Sequence, residues 1–192
     1  MMISKTYNED VFIADFTDYV GKQESKPVPY KGVVVDIEDN GVIPSFTIHN
    51  EHHCPFVVVN NEHNPSVFKR SDGTRVPQCE CMVYAERHDH RKGWMLFLEL
   101  KYCQAKNLYV NMLDGIGQLK ATCTFIMDEK KVFDKELFKK YLVISTPGVE
   151  PLDPFDASYF DQDYLLSLKE ETGAILKATN AVYIQTPAVV TF

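Results

Sequence analysis

The sequence predicts an α/β (α+β) fold, a single mixed central sheet flanked by helices, on three observations. Runs rich in β-branched and aromatic residues fill 32–60 and 79–102, with turn residues between them. Residues 107–127 then place Val110, Leu113, Ile116 with Gly117, Ala121 and Phe125 at helical spacing. A continuous apolar run, Tyr141–Ser145, follows, as in a strand buried on both faces. Strands, a helix, a strand, then a further helix and strand suit one covered sheet. At 192 residues the chain is expected to form one domain, 1–192.

Taken in order, Val11–Val20 is the first structured segment, a short helix with Phe12, Phe16 and Tyr19 on one face. Lys22–Pro29 is polar and contains proline, hence a loop. Gly32–Ile37 and Val42–Ile48 form a hairpin around Asn40-Gly41, the strongest short turn signal available. Phe56–Asn60 and Ser66–Lys69 are short strands, the latter closed by a turn at Ser71–Gly73. Cys79–Ala85 and Trp94–Tyr102 are two strands joined by the charged, glycine-ended loop Glu86–Gly93. After the 107–127 helix, Asp134–Lys140 reads as a short amphipathic helix leading into Tyr141–Ser145. Pro147–Asp163 is a long acidic loop with three prolines, Tyr164–Ala178 a helix interrupted at Gly173, and Ala181–Gln185 the last strand.

Composition narrows the function classes. No apolar run reaches the roughly 18–20 residues of a membrane span, so no membrane partner is expected. The N-terminal residues lack the apolar stretch of an export signal. Five scattered cysteines, an odd number, point to reduced thiols and a cytoplasmic location. The net charge of −7 disfavours a polyanionic partner on average. Residues 69–120, however, hold nine Lys/Arg against six acids, a local +3 that leaves −10 for the rest. Screening confines such fields to about 8–10 Å, so a mildly basic face is compatible with an acidic total.

The chemistry concentrates in the hairpin. Along Met95–Tyr102 side chains alternate faces, so Glu99 and Lys101 project together with Met95 and Phe97. Burying a carboxylate and an ammonium in so apolar a strand requires compensation. A loop centred near 89–90 pairs positions whose numbers total about 179, which sets Glu80 opposite Glu99. Two facing carboxylates repel unless a proton or a cation lies between them. Phosphodiester hydrolysis calls for such a site, because a hard divalent ion takes oxygen ligands, neutralises phosphoryl charge and activates water. Glu80, Glu99 and the Leu100 backbone carbonyl would be the protein's ligands, with Lys101 on the attacking water or the transition-state charge. The other reading of the same spacing is a metal-free ion-pair cluster of Glu80, Lys101 and Glu99.

Glu99-Leu100-Lys101 at the end of an apolar strand, with Glu80 about twenty residues earlier and Gln118-Leu119 in the following helix, resembles the PD-(D/E)xK nuclease (restriction-endonuclease-like) superfamily over residues 66–145. The resemblance implies an αβββαβ core, extended here by an N-terminal hairpin and a C-terminal helix and strand. It implies Mg²⁺- or Mn²⁺-dependent hydrolysis of nucleic acid, DNA before RNA. The catalytic group would be Glu80, Glu99, Lys101 and Gln118, the last a supporting residue. Glu80 departs from the family's usual Asp by one methylene, no tyrosine follows Gln118, and Asp15 and Asp18 are possible additional ligands. A member of this fold that binds a protein or nucleic acid without cleaving it is the alternative.

Three lesser sites compete. His52, His53 and Cys54, Cys79 with Cys81, and His88 with His90 offer zinc ligands, although their spacing matches no common zinc framework. Cys103 is a possible nucleophile without an assignable base. Tyr102 and Tyr109 flank the hairpin site as possible base-stacking rings.

Overall fold

The computed structural model describes residues 2–22, 30–86, 92–153, 156 and 160–192. Its strands begin with β1 (Lys5–Tyr7) and β2 (Val11–Asp15), followed by helix α1 (Phe16–Lys22), β3 (Val33–Asp36), β4 (Phe46–His49) and β5 (Phe56–Asn60). The central hairpin is β6 (Cys81–Ala85) and β7 (Gly93–Leu100), after which α2 (Leu108–Thr124) leads to β8 (Phe138–Ser145). The chain closes with α3 (Gln162–Thr172), β9 (Ala174–Ala178), β10 (Ala181–Thr186) and β11 (Val189–Thr191).

The chain is mixed α/β, but its strands form two sheets rather than one. The larger has the order β1-β5-β6-β7-β8-β9, and the smaller β11-β10-β4-β2-β3. In the larger sheet β5, β6 and β7 meander antiparallel, and β8 and β9 then add parallel to β7 and to each other. The helices α2 and α3 fall in the two parallel crossovers, where such connections need them.

Strand periodicity divides the larger sheet between two cores. Trp94, Leu96 and Leu98 of β7 pack with Ile13, Phe46, Ile48 and Val182 of the smaller sheet. Met95 and Phe97, the alternate residues, pack with Met112, Ile116 and Leu119 of α2 and Leu168 of α3. Every residue of β7 is buried, because this strand has a layer on each face. Glu99 and Lys101 share the parity of Phe97 and therefore lie on the helical side.

Several expected elements change. Val11–Val20 is half strand and half helix: Val11 and Ile13 are fully buried in the sheet–sheet core, and Asp15 starts the helix. Its Oδ1 accepts from the backbone N–H of Thr17 (2.8 Å) and Asp18 (3.2 Å), an N-cap that splits the segment. The turn at Asn40 forms, with Oδ1 accepting from Val42 N and Ile43 N, both at 2.8 Å. The strands on either side of it do not pair with each other, however, because β2 lies between β3 and β4 and pairs with both. The apolar β2 takes the interior place between them, while β3 at the edge buries only Val33. Ser66–Lys69 is not a strand; a single Lys69–Arg75 bridge closes its turn, and buried Phe68 anchors it.

Asp134–Lys140 supplies one 3-10 turn, Lys135–Leu137, capped by Asp134, before Phe138 opens β8. At Gly173, whose φ is +62°, α3 ends and the remaining residues become β9 with Ala174 and Leu176 buried on alternate positions. The loop residues 23–29 and 87–91, with His88 and His90, lie outside the described residues. None of the described helices is long and apolar enough to cross a membrane.

Candidate functional site

The β6–β7 register places Cys81 opposite Leu98 and Tyr84 opposite Met95, which carries Glu80 to the position facing Glu99. The start of β6 is held from two sides. Cys79 N donates to Thr122 Oγ1 of α2 (2.8 Å), and Asn61 N donates to the Glu80 carbonyl (2.8 Å). Thr122 in turn donates to the Gln118 carbonyl one turn earlier (2.9 Å), so α2 fixes the backbone from which Glu80 projects. At the other side of the hairpin, Lys101 N donates to Ser145 O (2.8 Å) and Tyr102 N to Asp18 Oδ2 (2.9 Å). Asp15 and Asp18, possible ligands by sequence, thus hold a helix start and a strand end.

Glu80, Glu99 and Lys101 come together. Glu99 is fully buried, and Lys101 Nζ lies 2.7 Å from its Oε1. Neither Glu99 oxygen has a hydrogen bond of regular geometry. The half-buried Glu80 is within hydrogen-bonding reach of Glu99, and its Oε2 accepts from Leu100 N (3.3 Å). At Leu100 the recorded contact to Glu80 is therefore through the N–H.

Close approach of α2 completes the cluster. A Cβ at Gly115 would overlap Ile144 Cδ1 and come within 3.1 Å of Glu99 Cγ and 3.3 Å of Lys101 Cε. Glycine lets the helix backbone pass directly over the two charged side chains. One residue earlier, Asp114 Oδ2 lies 3.1 Å from Lys101 Nζ and accepts from Gln118 Nε2 (3.1 Å). Gln118 thus reaches the cluster through Asp114. Neither Asp114 nor Gly115 stands out in the sequence; the signal available is their position four and three residues before Gln118, on the same side of the helix.

Burial, and next the neighbouring Glu99 carboxylate, push Glu80 well above the ordinary carboxylate pKa, against the attraction of Lys101. Burial also raises Glu99, opposed by the hydrogen bond from Glu80 and by Lys101. Burial works against the Lys101 ammonium, but Glu99, then Asp114 and Glu80, outweigh it and hold the lysine charged. The pair of carboxylates consequently retains a proton more readily than free glutamates do, or takes a cation in its place.

Among the described residues, the cysteines and histidines of the competing zinc site do not come together; His88 and His90 lie outside those residues. Cys81 faces the sheet–sheet core and Cys79 the helical core, so the pair does not present two thiols to one point. Burial, with nearby Glu99 and Glu80, pushes both thiols far above their usual pKa and disfavours thiolate. None of the five cysteines forms a disulfide. His52 is exposed, and His53 Nδ1 contacts the Asn8 carbonyl at 3.1 Å. Among the described residues no three His, Cys, Asp or Glu side chains are arranged to hold a metal.

Tyr102 is buried with its hydroxyl donating to Pro44 O (2.7 Å), which removes it as a stacking platform. Tyr109 is 41% exposed and packs against Phe160. Cys103 is half-buried against the helical core. A groove of about 810 Å³, lined by Tyr19, Pro44, Tyr102, Lys106, Asn107 and Asn111, opens at the carboxyl ends of β7 and β8. Open α/β sheets bind ligands at such strand ends. Neither Glu80 nor Glu99 lines it. In comparisons with known proteins, no family model, no curated protein and no solved structure matches this chain.

Proposed function

We propose that this chain is a divalent-metal-dependent nuclease of PD-(D/E)xK type, cleaving phosphodiester bonds in nucleic acid, DNA before RNA. The observation that carries the reading is Glu99: a fully buried carboxylate beside a second carboxylate, its oxygens without a hydrogen bond of regular geometry and one of them 2.7 Å from the Lys101 ammonium. Two buried carboxylates beside one ammonium still lack one compensating charge, which a proton or a bound cation supplies. Glu80 and Glu99, with the Leu100 carbonyl, would hold Mg²⁺ or Mn²⁺. The ion would supply charge neutralisation at phosphorus and a water of lowered pKa. Lys101 would hold the negative charge that develops as the water oxygen bonds to phosphorus, the P–O ester bond breaks and the leaving oxygen takes a proton. Gln118 would act at one remove, by orienting Asp114 against Lys101.

A second reading has its own support: Lys101 already lies 2.7 Å from Glu99, and the net charge is −7. On that reading the cluster is a structural ion-pair group in a protein that binds or assembles with a partner and cleaves nothing. Thermal unfolding separates the two. For the nuclease, millimolar Mg²⁺ or Mn²⁺ raises the melting temperature of wild type and leaves Glu99→Ala unmoved, because only the folded site binds the ion. Lys101→Ala then keeps the metal response and loses cleavage of single- and double-stranded DNA. Absence of any metal response, together with a Lys101→Ala protein weakened by about 3–5 kcal/mol, would establish the structural reading instead.

A further inference from the structure

Lys101 has two anionic partners, and they differ in kind. Glu99 Oε1, at 2.7 Å, is fully buried and belongs to the carboxylate pair. Asp114 Oδ2, at 3.1 Å, belongs to a side chain that is 67% exposed and reached by the Gln118 amide. The ammonium sits between them, under the helix backbone that Gly115 brings close. A divalent cation entering between Glu80 and Glu99 would meet that ammonium as a competitor for Glu99. Charge alone then requires a third anion: two carboxylates balance the ion, and the displaced lysine needs one more. We propose that Asp114 is a positioning residue that takes over the Lys101 ammonium when a divalent cation occupies the Glu80–Glu99 pair, so that cation entry and transfer of the lysine are one exchange. This rests on the metal reading given above.

The exchange is short-range. Lys101 needs no change of backbone, since both carboxylates are already in contact with Nζ, and a small rotation about its last bonds shifts the balance from one to the other. Gln118 steadies the acceptor through its bond to the same Oδ2 atom that faces the lysine. Asp114 is largely exposed and so more screened, which makes it a weaker partner than Glu99 in the resting state. In the loaded state it becomes the better one, because Glu99 then carries the ion. The transferred ammonium stays on the same face of β7, beside the position a phosphate would occupy on the ion.

The test is a Mn²⁺ titration by calorimetry on the full chain. Removing the acceptor charge in Asp114→Asn should weaken Mn²⁺ binding about five- to tenfold, since the lysine is left to repel the ion. Asp114→Glu should restore most of the affinity. In a Lys101→Met background the Asp114→Asn change should have little effect, because the charge it compensates is gone; a purely structural Asp114 would act equally in both backgrounds. Wild type that binds Mn²⁺ while Asp114→Asn binds it equally well overturns the exchange and leaves the metal site standing. Wild type that shows no Mn²⁺ binding overturns both. Should Lys101→Met not fold, the contrast between Asp114→Asn and Asp114→Glu decides: equal affinities overturn the exchange, and rescue by Glu supports it.

Discussion

Glu80 and Glu99 make the stability of this protein depend on pH in an unusual direction. Carboxylates that gain partners in the native state are normally depressed in pKa and stabilise the fold as pH rises. Here burial raises both, and Asp15 with them. A native group with a raised pKa binds more protons than its unfolded counterpart between the two values. Its contribution is therefore complete below the unfolded pKa, about 4.3 for glutamate, and is lost as pH climbs through the raised native value. Lys101 also stays charged throughout this range, so it does not reverse the trend. We expect the metal-free protein to melt at a lower temperature at pH 7.5 than at pH 5, and Glu80→Gln to flatten that slope. Added Mg²⁺ should restore stability at pH 7.5 and do little at pH 5, where protons occupy the pair. A metal-free melting temperature that rises between pH 5 and 7.5 would mean the carboxylates are already neutralised by another route.

At the scale of one element, α2 is where the cluster is assembled, and two of its glycines make opposite demands. At Gly115 a methyl group would overlap Ile144 and crowd Glu99 and Lys101, whereas at Gly117 there is nothing within 4 Å. Gly115→Ala should therefore destabilise the fold by about 1–3 kcal/mol through overpacking. Gly117→Ala should stabilise it by up to ~1 kcal/mol through helix propensity. Urea unfolding of the two variants checks the pair, and equal effects would show that α2 does not rest on the site as closely as described. The same helix shows what was legible beforehand. Its existence was, and most of its phase: Ile116 and Phe125 are buried and Leu113 and Ala121 pack against the same core, but Val110 is 68% exposed, and Met112, Leu119 and Cys123 complete the inward face. Gly115 makes the close approach over the charged pair and Thr122 holds the start of β6, small or polar residues that leave no mark on an apolar pattern. Asp114 was hidden for the same reason. The β6–β7 hairpin was readable because its register follows from one local loop and a period of two.

The second sheet was not readable, since its pairings are distant in sequence. Thr47 lies parallel to Ala181 across the β4–β10 ladder, and no local signal announces that partner. Once formed, this sheet and the helices share β7, which gives Trp94, Leu96 and Leu98 to one core and Met95 and Phe97 to the other. A strand common to both cores should couple them, although chains above about 150 residues often unfold in stages. Trp94 is the single tryptophan and lies in the sheet–sheet core, with Nε1 donating to Thr186 O at 3.3 Å. Its fluorescence therefore reports the contact between sheets, whereas far-ultraviolet dichroism at helical wavelengths reports α2 and α3 on the opposite face. Ile116 belongs to α2 and is fully buried away from Trp94's layer. Ile116→Val should cost about 0.5–1.5 kcal/mol and lower the urea midpoint by roughly half a molar. If β7 binds the two layers into one cooperative unit, both signals fall together in wild type and shift equally in the variant. A helical signal that moves while Trp94 keeps its midpoint would show that the helices and their side of the cluster come away first, leaving the paired sheets intact.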